Sequence, residues 1–147
     1  MDNINLQLKT STQIGIVEKY WFENKNIGLK KTLFHRINIP LKPFDSGLDY
    51  VEQPENTEIV IEWLKLDLEN PYDLDGLEIT SQNYEDLEAS IYIGGAHNQC
   101  EVLTLQLHKV GVDKYEICCE LKINFESEGV AKDELFKFET KIIFGQE

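Results

Sequence analysis

The chain has 147 residues, 41% of them hydrophobic, and a formal net charge of −13. This is a globular composition and not a disordered one, and no apolar run reaches the roughly 20 residues of a membrane span. The negative balance weighs against duplex nucleic acid or an anionic membrane as the main ligand, since both repel it.

One β-rich domain over residues 1–147 is the simplest partition at this length. The charge is unevenly spread. Between Phe44 and Thr104 lie fifteen Asp and Glu and one Lys, Lys65, a net of −14, whereas residues 1–43 carry seven Lys and Arg against three acids. A concentrated acidic surface attracts and steers a basic partner. The opening residues, Met1-Asp2-Asn3-Ile4-Asn5, lack the basic and apolar regions of a secretory signal. Three cysteines, two of them adjacent, make no disulfide framework. Both features predict a cytoplasmic protein.

Taken in chain order, the elements are mostly strands. Ile4, Leu6 and Leu8 alternate. Residues 12–22 and 27–39 flank the turn Glu23-Asn24-Lys25-Asn26 and predict a long hairpin. On its second arm Ile27, Leu29, Leu33, Ile37 and Ile39 share a face that Lys31 and His35 interrupt. Pro40 and Pro43 end it. Residues 44–56 and 70–75 read as loops. Between them, residues 57–69 fit either a strand with a bulge at Trp63-Leu64 or a helix capped by Thr57. The β-branched run Ile59-Val60-Ile61 favours the strand. A short helical turn is expected around Asn83 to Glu88.

The last third alternates most clearly. Ala89, Ile91 and Ile93 run into Gly94-Gly95 and a polar turn, His97-Asn98-Gln99. Leu103, Leu105 and Leu107 form a second strand. Tyr115, Ile117, Cys119, Leu121, Ile123 and Phe125 point one way along a third. Phe136, Phe138, Thr140, Ile142 and Phe144 repeat the pattern after the turn Ser127-Glu128-Gly129. These four strands on short connections predict an antiparallel meander. About eight strands with one-sided alternation and little helix predict a β-sandwich of antiparallel sheets.

Catalytic motifs are missing. There is no phosphate-cradling glycine loop and no Gly-x-Ser-x-Gly elbow. Cys119 lies on an apolar strand face and reads as a small hydrophobe. Cys118 faces outward beside Glu116 and Glu120, which raise a thiol pKa and disfavour the thiolate. His97, Cys100 and His108 are too few and too scattered for a zinc site, which needs about four ligands. In Asp73-Leu74-Asp75-Gly76 an EF-hand register would put Pro71 at the first ligand position, and proline has no side-chain oxygen. A looser calcium site with Glu69 or Glu78 stays open. Neither Glu62 nor Glu88 is singled out as a general acid. The basic, aromatic run Lys19-Tyr20-Trp21-Phe22, with Lys25, Lys30, Lys31 and Arg36, has the composition of a single-strand binder. Here the aromatics also suit a hairpin core, and the basic arm suits packing beside the acidic block.

The runs Ile61-Glu62-Trp63-Leu64, Asp75-Gly76-Leu77-Glu78, Ala89-Ser90-Ile91-Tyr92-Ile93, His97-Asn98 and Asn124-Phe125-Glu126-Ser127-Glu128-Gly129 resemble small acidic bacterial proteins of the immunity type. The resemblance covers roughly the last two-thirds of the chain and carries over no functional residue. It implies a non-enzymatic cytoplasmic inhibitor that neutralises a toxin by tight binding.

The expected function is therefore binding without catalysis or cofactor: an acidic face that caps a basic protein, such as a nuclease toxin. The candidate charges are Asp67, Glu69, Asp73, Asp75, Glu78, Glu85, Asp86 and Glu88, with Tyr72 and Tyr84 as aromatic anchors. Two other readings compete: a module that oligomerises through a strand edge, and a carboxylate hydrolase or small-ligand binder. The oligomeric state is left open.

Overall fold

The computed structural model describes residues 1–145. The described residues form a short helical turn, α1 (Leu6–Lys9), and seven strands: β1 (Gly15–Asn24), β2 (Leu29–Pro40), β3 (Glu58–Leu64), β4 (Glu88–Ile93), β5 (Ala96–Gly111), β6 (Lys114–Ile123) and β7 (Glu134–Phe144). They pair in chain order and close into one barrel. The expected eight-stranded sandwich is therefore replaced by a closed seven-stranded barrel. Alternation says only that each strand buries one face, and a sheet curled on itself satisfies that as well as two stacked sheets do. Each strand runs antiparallel to its neighbour in sequence, so the first and last run the same way. The barrel closes in parallel, with Gly15–Val17 against Ile142–Phe144.

The expected first strand, with Ile4, Leu6 and Leu8, is the missing eighth. It is instead the α1 turn, where Ile4 and Leu6 are buried and Leu8 is exposed. This segment lies along the part of β7 that β1 leaves unpaired. The Gln7 side chain accepts from Lys137 N (2.7 Å) and donates to Lys137 O (2.8 Å), as a neighbouring strand would. Leu6 N donates to Glu134 Oε2 at 2.9 Å.

The C-terminal meander forms as expected, with two changes. Gly94 and Gly95, both at positive φ, make a two-residue turn that pairs Ile93 with Ala96. His97–Gln99 therefore belong to β5 and not to a turn. A register shift between Val102 and Thr104 changes the phase of β5. Asn98, Cys100 and Val102 point inward before it, Leu105 and Leu107 after it, and Leu103 is only half-buried. Asn83 to Glu88 holds turns and no helix.

The barrel is filled with side chains and plugged at both ends. Ile4, Leu6, Leu41 and Phe44 close the end that holds the β2–β3 loop, while Leu66, Leu74 and Ile79 close the end that holds the β3–β4 segment. The described residues include no helix long and apolar enough to cross a membrane.

Candidate functional site

Much of the acidic block sits in the β3–β4 segment, which crosses one end of the barrel. Between Gly76 and Ser81 it runs beside β5, continuing the line of β4. Gly76 N donates to Leu107 O (2.9 Å), Ile79 N to Leu105 O (2.8 Å) and Ser81 N to Val102 O (3.0 Å). Leu74 and Ile79 are buried beneath it, so Asp75 and Glu78 are carried on anchored backbone. Asp67, Glu69, Asp73, Asp75, Glu78, Glu85, Asp86 and Glu88 are all exposed.

Beside this segment the β1–β2 hairpin projects past the barrel, because β7 meets β1 only at Gly15–Val17 and β3 joins β2 only from His35. Tyr20 pairs with Phe34 and shares a ribbon face with Phe22, while Trp21 and Leu33 pair on the opposite face. Trp63 completes the first group. Its ring lies 5.9, 5.0 and 5.3 Å from those of Tyr20, Phe22 and Phe34. A bulge places it there: from Ile37 to His35 β2 advances two residues while β3 advances three, Ile61 to Leu64. Ile61 and Leu64 both point inward as a result, and Trp63, at φ 60°, turns outward. The expected bulge exists, centred one residue earlier, at Glu62-Trp63.

Trp63 divides two grooves. One, of about 530 Å³, is floored by Phe22, Ile27, Leu29, Phe34 and Trp63 and edged by Asp86 and Glu88. The other, of about 310 Å³, brings Trp63 and Lys65 together with Asp67, Tyr84, Glu85 and Asp86. Five of the ten candidate residues thus gather around one tryptophan. The others lie apart. Tyr72 packs on Phe144 at 5.7 Å under the Lys19 ammonium, and its carbonyl accepts from the Tyr115 hydroxyl. Asp75 accepts from Lys109 N at 2.8 Å and faces His108 at 3.7 Å. Asp73 Oδ1 closes a local turn onto Asp75 N. Glu78 bridges to Gln106 on β5, and Glu69 is exposed near the start of the segment.

Phe22, Phe34 and Trp63 are not among the candidates expected from sequence, although they form this cluster on the outer side of the sheet. A signal was present: Tyr20, Phe22 and Phe34 fall on the strand parity that carries Glu18 and Arg36, where a half-buried strand shows polar residues. The basic arm does meet the acidic block. Arg36, bound to Glu18 at 2.6 Å, lies 3.8 Å from Glu62.

The cysteines and histidines singled out in the sequence lie apart. Burial pushes the Cys100 thiol up to about 12 and Cys119 higher still, so both behave as apolar side chains. Cys118 is also raised, by desolvation and then by Glu139 and Glu116. His97, Cys100 and His108 are not assembled. Cys100 is inside the barrel, and the two histidines are exposed near opposite ends of β5. Among the described residues the gathered ligand-type atoms are those of Glu116, Cys118 and Glu139, within 4.8 Å of one another on the outer wall. Among the described residues Glu69, Asp73, Asp75 and Glu78 are not gathered into a ligand group. Comparison with protein families, with curated proteins and with solved structures finds no match to this chain.

Proposed function

We propose that this chain is a non-enzymatic binding protein that holds a basic protein partner through the acidic lobe at the β3–β4 end of the barrel. The resemblance to immunity-type proteins makes a toxin the favoured partner, and free thiols fit action in the cytoplasm. The observation that carries the reading is the display of eight exposed carboxylates at one end of the barrel, on and around a stretch, Gly76 to Ser81, that backbone hydrogen bonds pin to β5. Such a segment presents charge without first having to order itself, which lowers the entropic cost of association. Charge complementarity then raises the on-rate and selects the partner's sign. Trp63 and Tyr84 supply apolar contact beside the acids.

The test is co-purification from the native host, followed by association kinetics across a salt series. A basic protein is expected, with an on-rate that falls as salt rises. An association that ignores salt and survives charge reversal of Asp73, Asp75, Glu85 and Asp86 would remove the electrostatic reading.

A further inference from the structure

We propose that the groove beside Trp63 receives a long cationic side chain, lysine or arginine, from a protein partner. This rests on the basic-partner reading and adds the place and chemistry of contact. The groove has two chemically distinct parts. Its floor is apolar, and Ile27 and Phe22 leave 73% and 36% of their surface in water although the barrel interior is already filled. Its edge holds two exposed carboxylates, Asp86 and Glu88, and no Lys or Arg is among its described lining residues.

Each single-natured occupant fails on one part. An apolar side chain would cover the floor but crowd Asp86 and Glu88 without a counter-charge, which is costly as they lose water. A small cation would meet the acids but leave the floor wet. An acidic group would be repelled. Lysine and arginine carry a methylene stem beneath a charged head, which matches both parts. A cation above the indole of Trp63 gains a further attraction from the ring.

Trp63 is also held ready. A bulky residue at φ 60° is a backbone outlier, and such strain persists only where the surroundings enforce it. Here the β3 bulge and the rings of Tyr20, Phe22 and Phe34 enforce it.

The experiment titrates the isotope-labelled full chain with acetyl-Gly-Arg-Gly-amide and follows amide and indole resonances. Acetyl-Gly-norleucine-Gly-amide supplies a stem without charge, and methylguanidinium supplies charge without a stem. The arginine peptide is expected to shift the Trp63 indole and the backbone amides of Phe22, Asp86 and Glu88. Both controls should bind more weakly. D86N/E88Q, two exposed changes that preserve shape, should weaken the arginine peptide on the order of tenfold. Equal binding by norleucine, an unshifted Trp63 indole, or full affinity in D86N/E88Q overturns the proposal. The two readings fail separately. A salt-sensitive partner complex that tolerates D86N/E88Q sinks the groove and leaves the acidic lobe standing. A partner complex indifferent to charge removes the lobe even where the peptide occupies the groove.

Discussion

His35 is a buried, titratable side chain on an otherwise apolar inner strand face, next to Ile37 and Ile39. Its Nε2 lies 2.8 Å from the Pro71 carbonyl, so the proton of the neutral ring sits there, and Nδ1 is buried with no hydrogen-bond partner among the described residues. Burial pushes its pKa below the ordinary histidine value, and the nearby Lys19 charge acts the same way, while the Pro71 carbonyl opposes them. The unfolded chain accepts a proton near pH 6.5, whereas the folded chain resists it to lower pH. The native state then binds fewer protons, so this contribution is fully present above about pH 6.5 and declines as pH falls below it. Urea midpoints measured between about pH 7.5 and 5.5 should drop for the wild type. The drop should be smaller in His35→Gln, and parallel curves for the two proteins would contradict this account. The sequence showed His35 only as an interruption of an apolar face. Its partner lies 36 residues on, in a loop whose path no local pattern reveals.

At the scale of elements, seven strands are legible in the sequence, but the helical turn at Leu6–Lys9 and the closure of the barrel are not. The inward positions of β6 and β7 follow from unbroken alternation, since Tyr115 to Ile123 and Phe136 to Phe144 keep one phase throughout. β3 and β5 each change phase at a bulge, and a fixed period of two cannot follow such a change. That is why Leu103 was placed inside and Trp63 went unrecognised as the hub of a surface cluster. Closure depends on Gly15–Val17 meeting Ile142–Phe144, a contact between the two ends of the chain. Gly15 stands at that seam, where an added Cβ would lie 3.1 Å from Ile142 Cγ2, and is packed still closer against β2. A Cβ there would lie 2.5 Å from the Asn38 carbonyl oxygen and 2.6 Å from Ile39 Cδ1. The first obstacle is backbone and cannot swing aside. Gly15→Ala should therefore cost about 2–4 kcal/mol, at the upper end of overpacking penalties. Equilibrium unfolding with urea measures it, and a variant within about 0.5 kcal/mol of wild type would mean that the β1–β2 packing at Gly15 yields without strain.

For the molecule as a whole, the acidic block divides between the two ends of the barrel. Asp45, Asp49 and Glu52 lie exposed in the β2–β3 loop at one end, and seven of the eight candidate carboxylates occupy the β3–β4 segment at the other, with Glu88 at the start of β4. A ten-residue strand such as β6 spans about 30 Å along its length. At physiological salt charges are screened over about 8 Å, so the two ends act on a partner separately. Net charge and charge placement then predict different outcomes. Neutralising Asp67, Glu85 and Asp86 to Asn, Gln and Asn removes three charges beside Trp63. Neutralising Asp45, Asp49 and Glu52 in the same way removes three from the far end. The first set should slow association with the basic partner by about tenfold, and the second should change it by less than about twofold. Stopped-flow association at low and physiological salt measures both. Equal slowing by the two sets would show that overall charge, and not the acidic lobe, governs encounter.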